Sequence, residues 1–463
     1  MTRQNVTFPI GNIAVIDKID ADFDFFNSIF GGLGGRAKTI VPCIKLLMCN
    51  KLGNSLAVSR IPSLIPEEFF TLLGFGESVS DRTLNRTLER IGELSMPILE
   101  RYQTWITKND FVDKIQLTDF SSTYFEGSNC PIGKLGYSRD NQPGKKQLTF
   151  GISVGINGVP TALTIQNGNV QDKVHMKKML RICSKVLPSN SLLIFDCGGN
   201  TRKNKENILE LGFQYLTLKA KKRKPYKEAI VLFKNSVQNK LVIEDKIYHC
   251  IKIKAEDEYN YIFFSEKLCT DQLGKKQRKF ENAIEKGGIL ERRVKAGKEL
   301  GTHVYDQGLI ILEGKLQRIL GKVQNPFITG LEGYFILESS LDAEPEEILR
   351  LYKSRDKAEK FIRDLKEGAE MRPIRHWSKN AVIGYILLIF LTNALVNLTL
   401  FLSKNPLVKN LKVLKKYLSN LTLTVLYPPN SFRIAVISNF SVEMKALLGD
   451  FVRRYGDLTV QIS

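Results

Sequence analysis

The feature that most constrains the fold is the order of apolar strand patterns and helical patterns between residues 114 and 218. Three apolar, β-branched segments separated by turn residues predict a meander of three strands, in KIQLTDFSSTYFEG, KKQLTFGISVGING and VPTALTIQNGN. A helical pattern, a short buried strand LLIFD, a second helical pattern and the strand FQYLTLK follow. The segment therefore predicts the order strand, strand, strand, helix, strand, helix, strand in an α/β fold.

Two aspartates stand on the strands that this order predicts to be buried. Asp119 follows QLT within the first strand, and Asp196 ends the strand LLIF. Taken singly, each is equally well explained as a strand-end or capping residue. Both would be costly to bury without a partner, which a metal ion would supply. The order of elements is that of a ribonuclease H-like core, in which the first strand lies beside the fourth, so by fold-level analogy the two carboxylates meet.

A third acid lies on a helical pattern that we expect to run from residue 346 to residue 370. At about 100° per residue, Tyr352, Arg355, Glu359 and Lys366 share one narrow stripe beside the apolar face of that helix. Packing of the apolar face on the sheet would hold Glu359 within reach of a metal bound by the two aspartates. Standing alone, such a stripe indicates no more than a solvated charged face.

The charge and the cysteine and histidine content narrow the choice of partner and metal. The chain has 68 Lys and Arg against 48 Asp and Glu, a net charge of +20. This excess favours a polyanion such as nucleic acid, although charge also keeps any basic protein soluble. The seven cysteines include no C-x-x-C pair and the four histidines no H-x-x-x-H pair, so neither a disulfide framework nor a zinc site is indicated. We expect a reducing cytoplasm and a metal held by carboxylates, which points to Mg²⁺.

At 463 residues the chain is long enough for several domains. Its N-terminal region predicts short helices, one of them basic and capped by Ser80 or Asp81, which is either a DNA-reading helix or an ordinary surface helix.

Residues 381–402 approach the length of a membrane span, but their asparagines and the lack of a second span favour a buried core helix. The expected domains are a helical N-terminal DNA-binding domain (1–110), the first part of the core (111–224), a β-rich insertion (225–345), the catalytic and buried helices (346–403) and a C-terminal region (404–463).

The spacing of the polar stripe carries a family resemblance. Tyr352, Arg355, Glu359 and Lys366 reproduce the signature Y-(2)-R-(3)-E-(6)-K, and on this signature the chain resembles the IS4-type superfamily of insertion-sequence transposases. The segments GYSRDNQPGKKQLTFGISV, GVPTALTIQNGNVQD and EMRPIRHW look most like the IS1634 group of that superfamily.

The resemblance implies a fold, a set of acids and a metal. The fold is a ribonuclease H-like catalytic core, a mixed sheet flanked by helices, with a β-rich insertion before the glutamate. Asp119, Asp196 and Glu359 would be the catalytic acids and the ligands of two Mg²⁺ ions, for which Mn²⁺ can substitute. The resemblance also assigns contacts with transposon-end DNA to Tyr352, Arg355 and Lys366.

The chain departs from the family pattern at two places. Asp196 is followed by Cys197 and Gly198, whereas relatives often have Arg-Gly there, so we expect Arg202 to supply that phosphate contact. Some relatives stack a flipped base on a Trp of the insertion. Both tryptophans of this chain lie outside the predicted insertion, which leaves Tyr259 or Tyr261 for that role.

The predicted function is DNA transposition, in which the ends of an insertion sequence are cleaved and the freed 3′ hydroxyl attacks target DNA. The expected partners are double-stranded DNA, as terminal inverted repeats and as target, and a second copy of the chain in a synaptic complex. We expect the protein in the cytoplasm at the nucleoid, with no membrane. Two alternatives are a ribonuclease H-like nuclease without strand transfer and a non-catalytic DNA-binding protein derived from a transposase.

Overall fold

The computed structural model describes residues 4–32, 37–127, 130–221, 223–295, 303–305, 309–312, 315–318, 325, 327–403, 411–428, 433–452 and 455. The chain forms two compact units. Unit 1 consists of Met1–Gln214 and Lys353–Ser463, and unit 2 is the intervening Tyr215–Tyr352.

Unit 1 begins with one strand and a series of helices. These are β1 (Val6–Pro9), α1 (Gly11–Phe23), α2 (Phe25–Phe30), α3 (Ala37–Leu52), α4 (Ile61–Leu64), α5 (Glu67–Leu72), α6 (Asp81–Glu93) and α7 (Ser95–Lys108), with a 3₁₀ turn at Val58–Arg60. Ser80 caps the basic helix α6, because its Oγ accepts a hydrogen bond of 3.3 Å from the Thr83 N–H. Of the two predicted capping residues, Ser80 is therefore the correct one.

The central sheet of unit 1 follows the predicted order. Its elements are β2 (Ile115–Tyr124), β3 (Gln147–Gly155), β4 (Pro160–Asn167), α8 (Asp172–Cys183), β5 (Leu192–Phe195) and α9 (Arg202–Glu210). β2, β3 and β4 form an antiparallel meander, and β5 pairs in parallel with β2. The first strand of the core thus lies beside the fourth, which confirms the ribonuclease H-like core. The amide of Gln214 donates to the Ser191 carbonyl at 2.8 Å and begins the next strand beside β5.

Unit 2 is rich in β-structure, as the sequence predicted for the insertion. Its elements are β6 (Gln214–Leu218), α10 (Arg223–Asn235), β7 (Asn239–Ile243), β8 (Lys246–Ala255), β9 (Glu258–Phe264), α11 (Glu266–Lys295), β10 (His303–Tyr305), β11 (Leu309–Leu312), β12 (Lys315–Arg318), β13 (Tyr334–Ser339) and α12 (Pro345–Lys353). Five strands lie antiparallel in the order β6, β13, β9, β8, β7. Tyr226 and Phe233 of α10 pack on this sheet in a buried apolar cluster with Ile262.

Unit 1 then resumes and reaches the C-terminal region. Its remaining elements are α13 (Asp356–Arg363), a π-helix (Asp364–Gly368), α14 (Lys379–Ser403), α15 (Leu411–Asn420), β14 (Thr422–Leu426), β15 (Ile434–Ser438), α16 (Val442–Leu448) and a 3₁₀ turn (Gly449–Val452). β1 pairs with β14, which pairs with β15. The sequence prediction of a purely helical N-terminal region missed β1, because its partner lies more than 400 residues away in the chain and leaves no local signal.

The single helix predicted over residues 346–370 is broken in the structure. α12 ends at Lys353, Ser354 and Arg355 form a turn, and α13 passes into the π-helix at Asp364. The stripe of four signature residues is therefore not one face of one helix, since a constant 100° step holds only within an unbroken α-helix. No glycine or proline marks the break, so the local sequence did not indicate it.

The apolar helix α14 forms part of the core of unit 1, as predicted. It packs closely on α6: a Cβ added at Gly92 would stand 1.7 Å from the Asn380 carbonyl oxygen, and one added at Gly384 would stand 1.9 Å from the Leu88 carbonyl oxygen. Its Asn393 is fully buried. By length and composition α14 is the one helix among the described residues that passes as a candidate membrane span, yet 72% of its most apolar window is buried inside the protein.

Candidate active site

Asp119 and Asp196 lie at corresponding positions of two neighbouring strands. In the parallel pair of β2 and β5, Leu117 stands opposite Ile194. Asp119 is two residues beyond Leu117, and Asp196 is two residues beyond Ile194 and directly follows β5. Because side chains alternate between the faces of a sheet with a period of two, both carboxylates project from the same face on strands about 5 Å apart.

Glu359 joins this pair through an arginine. It lies on α13, which packs against β2 and β3. The guanidinium of Arg355, one helical turn earlier, donates through Nη2 to Glu359 Oε1, and its Nη1 lies 3.6 Å from Asp119 Oδ1. Arg355 is 19% exposed and Asp119 16%, whereas Glu359 is 49% exposed. The glutamate therefore stands at the open side of the cluster.

The surroundings of Asp119 change the pKa of its carboxyl group. Burial raises the pKa of its carboxyl from 3.8 to about 6, and the negative charges of Asp196 and Glu359 act in the same direction. The Arg355 guanidinium and the Phe120 N–H, which donates to Asp119 Oδ1 at 3.0 Å, partly oppose this rise of the pKa. Asp119 is thus an acid whose negative charge the site leaves incompletely compensated.

The cluster has the donors for a divalent cation but not a closed coordination shell. Among the described residues, no three His, Cys, Asp or Glu side chains are placed together as a ready metal site. Asp119 and Glu359 instead share a positive charge, the Arg355 guanidinium. Carboxylate oxygens are the ligands that Mg²⁺ and Mn²⁺ prefer. The chemistry of the three carboxylates therefore fits a hard divalent cation, which Asp119, Asp196 and Glu359 would hold.

The predicted DNA-contacting residues are dispersed rather than gathered in one stripe. Tyr352 ends unit 2, while Arg355 belongs to the acid cluster of unit 1. Arg202 begins α9, is 93% exposed and pairs with Glu206 at 2.8 Å. Lys366 is 8% exposed, because its ammonium bonds to Asp140 at 2.8 Å inside the protein. A phosphate contact from Lys366 stays a prediction, and it requires this ion pair to open.

The sequence did not indicate three further charged residues: Asp172, which lies near Asp196, Arg139, which binds Asp172, and Asp140, which binds Lys366. Asp172 begins α8, and a Cβ added to Gly198 would stand 2.7 Å from its Oδ2 and 3.0 Å from Asp196 Oδ1. Arg139 Nη2 donates to both Asp172 oxygens, at 2.6 and 2.5 Å. Arg139 and Asp140 occur in the segment GYSRDNQPGKKQ, which entered the sequence argument only as a family resemblance.

Two aromatic residues of unit 2 were candidates for stacking on a base. Tyr261 is fully buried, and its hydroxyl donates to the Ala343 carbonyl at 2.9 Å. It therefore has no face for a base, and this part of the sequence interpretation is wrong. Tyr259 is only partly buried and lies under the Lys252 ammonium, 5.2 Å from its ring centre.

Comparisons with known proteins find a matching family model and solved structures that resemble this chain. The family model described as "Transposase DDE domain" matches residues 137–393, more than half of the chain. A solved structure of a piggyBac transposase synaptic complex with hairpin DNA is similar at 10% identity and a TM-score of 0.45, covering 90% of this chain and 82% of that one. No curated protein sequence matches the chain significantly.

Proposed function

The chain belongs to the transposase DDE domain family, and on that premise we propose that it cleaves the ends of an insertion sequence and joins the freed 3′ hydroxyl to target DNA. Asp119, Asp196 and Glu359 are the catalytic acids of this proposal. The observation that carries it is the convergence of these carboxylates: neighbouring strands present two of them from one face, and the charges of Asp196 and Glu359 both raise the pKa of Asp119.

Each acid has a distinct task in the proposed reaction. Asp119 and Asp196, positioned by the sheet, would hold a divalent cation together with Glu359 from α13. When bound, Mg²⁺ or Mn²⁺ ions would activate the attacking water or 3′ hydroxyl and neutralise charge developing on phosphorus. Arg355 holds Asp119 and Glu359 together before the site is loaded and then turns to a DNA phosphate, which its planar guanidinium can bind with two hydrogen bonds.

The proposal extends to the substrate and the assembly. The net charge of +20 supports a polyanionic partner. In this proposal the partner is double-stranded DNA, both as the terminal inverted repeats of the element and as the target. Arg202, exposed at the start of α9, is the expected phosphate contact beside Asp196, with further contacts from Tyr352. Two copies of the chain hold two ends, because both must be cut in one event. The protein acts in the cytoplasm at the nucleoid.

Within the superfamily we place the chain nearest the IS1634 group. The spacing of Tyr352, Arg355, Glu359 and Lys366, together with the segments GYSRDNQPGKKQLTFGISV and EMRPIRHW, supports this placement.

The test is an in vitro assay on DNA that carries both ends of the element, with Mg²⁺. The wild type should cut at the ends and produce joined target DNA, whereas Glu359→Gln should bind the ends and leave them uncut. Asp356→Asn is the matched control, because Asp356 lies on the same helix, is 54% exposed and forms an exposed ion pair with Lys360. Removal of one ligand from the site should lower the cleavage rate at least about 100-fold.

Two results would change the proposal. Cleavage without any joined product would make the chain a nuclease of the same fold. A Glu359→Gln protein that cuts as fast as Asp356→Asn would remove Glu359 from the site.

A further inference from the structure

Two consecutive residues between β2 and β3, Arg139 and Asp140, contact the surroundings of all three candidate acids. The first contact is to β2 itself. The backbone N–H of Arg139 donates to Ser122 Oγ at 3.1 Å, and Ser122 follows Asp119 by three residues on that strand. The pair is therefore anchored to the strand that carries the most buried acid.

The second contact runs from Arg139 to the turn that carries Asp196. Arg139 holds both oxygens of Asp172 with Nη2, and Asp172 is 16% exposed. Gly198 lies between the carboxylates of Asp172 and Asp196. A Cβ added at Gly198 would stand 2.7 Å from Asp172 Oδ2 and 3.0 Å from Asp196 Oδ1. Two carboxylates at such a separation repel each other. The Arg139 guanidinium offsets the charge of Asp172 and holds that carboxylate in place beside the turn that carries Asp196.

The third contact runs from Asp140 to the helix of Glu359. The Asp140 carboxylate is 2% exposed and accepts hydrogen bonds from Lys366 Nζ at 2.8 Å and Arg372 Nη1 at 2.6 Å. Lys366 lies in the π-helix that continues α13 without a break. Asp140 thus fixes the C-terminal end of the helical segment on which Glu359 stands.

We propose that Arg139 and Asp140 are positioning residues that set the separation of Asp196 and Glu359, and thereby the affinity of the site for a divalent cation. The inference rests on the acids assigned in the proposed function. It adds two residues that touch neither DNA nor the cation and act through Asp172 and Lys366.

The experiment is a titration of the full, metal-free protein with Mn²⁺, followed by electron paramagnetic resonance, without DNA. Arg139→Ala and Asp140→Asn should each weaken Mn²⁺ binding by roughly 10- to 100-fold, as is usual when residues that orient metal ligands are removed. Arg139→Lys, which keeps the charge but not the double hydrogen bond, should recover part of the loss. Asp20→Asn is the matched control, because it removes a partly buried ion pair of 2.9 Å with Lys45 among the N-terminal helices, and its Mn²⁺ affinity should equal that of the wild type.

A double-substitution cycle separates positioning from general loosening of the fold. If Arg139 acts through Asp172, the Arg139→Ala and Asp172→Asn changes should together cost less Mn²⁺ affinity than the sum of the two. Mn²⁺ affinities equal to that of Asp20→Asn in Arg139→Ala and Asp140→Asn would overturn the inference. Failure of the proposed function would look different: the wild type would bind Mn²⁺ and the two variants would bind it weakly, yet none would cut DNA.

Discussion

At the scale of single residues, the Asp119 carboxylate that the proposed site requires lowers the stability of the folded protein when it is charged. Its pKa of about 6 lies above the ordinary value of 3.8, mainly because of burial. The folded state therefore binds a proton more tightly than the unfolded chain, so the stability that this group contributes is present at low pH and is lost as the pH rises through about 6. Above that pH its charge costs up to about 3 kcal/mol, at 1.36 kcal/mol per pKa unit.

We predict that Asp119→Asn stabilises the metal-free protein at pH 8, because the neutral amide avoids this cost. The gain should be about 1 to 3 kcal/mol, reduced by the loss of a partner for Arg355. Thermal melts of both proteins at pH 8 and pH 5 measure it, and the difference should shrink at pH 5. Added Mg²⁺ should raise the melting temperature of the wild type only. A variant that is less stable than the wild type at pH 8 would show that Asp119 is a structural residue.

The two aspartates could be proposed as site residues from the sequence because each carries its own local signal, a carboxylate in or directly after an apolar strand. Arg139 and Asp140 could not, since they lie in a turn-rich segment and their importance depends on partners 33 and 226 residues away. The burial of Lys366 against Asp140 could not be predicted either, because the spacing of the signature residues carries no information about Asp140.

At the scale of elements, strand order was predictable and helix continuity was not. Each strand of the core has an apolar pattern bounded by turn residues, so the order from β2 to β6 follows from the sequence. The segment from Pro345 to Gly368 contains no interior glycine or proline, yet the helix is interrupted at Ser354 and Arg355, and the arginine lies beside Asp119. Intrinsic helix propensity does not indicate such an interruption, because the differences among ordinary residues are small.

The packing of α6 on α14 gives a prediction at this scale. A Cβ at Gly92 would stand 1.7 Å from the Asn380 carbonyl oxygen, which is backbone and cannot move aside alone. Gly92→Ala should therefore destabilise the protein by about 3 kcal/mol, in the upper range for overpacked cores. Gly76→Ala, with no atom within 4 Å of the new Cβ, should stay within about 0.5 kcal/mol of the wild type. Urea unfolding of the two variants measures the difference, and equal midpoints would contradict the close helix contact.

At the scale of the whole molecule, the net charge of +20 predicts how DNA binding depends on salt. Cationic side chains that contact phosphates release counterions, so the logarithm of the affinity falls linearly with the logarithm of the salt concentration. We predict that affinity for an element end drops about 1,000-fold between 50 and 200 mM salt, the change that roughly six phosphate contacts produce. Fluorescence anisotropy with a labelled end measures this slope. An affinity that does not change with salt would argue against a phosphate-binding surface.

If Asp196 binds the cation on which DNA cleavage depends, a change of the ligand atom at this position should change which cation supports cleavage. The substitutions Asp196→Cys and Asp196→Ser, both made with Cys197→Ser, differ from each other by one atom at this position. A thiolate is a poor ligand for Mg²⁺ and a better one for softer ions such as Mn²⁺, whereas a serine hydroxyl serves neither well. The cleavage assay should find both variants inactive in Mg²⁺ and only Asp196→Cys restored in Mn²⁺. Equal activity of the cysteine and serine variants in Mn²⁺ would contradict the assignment of Asp196 as a metal ligand.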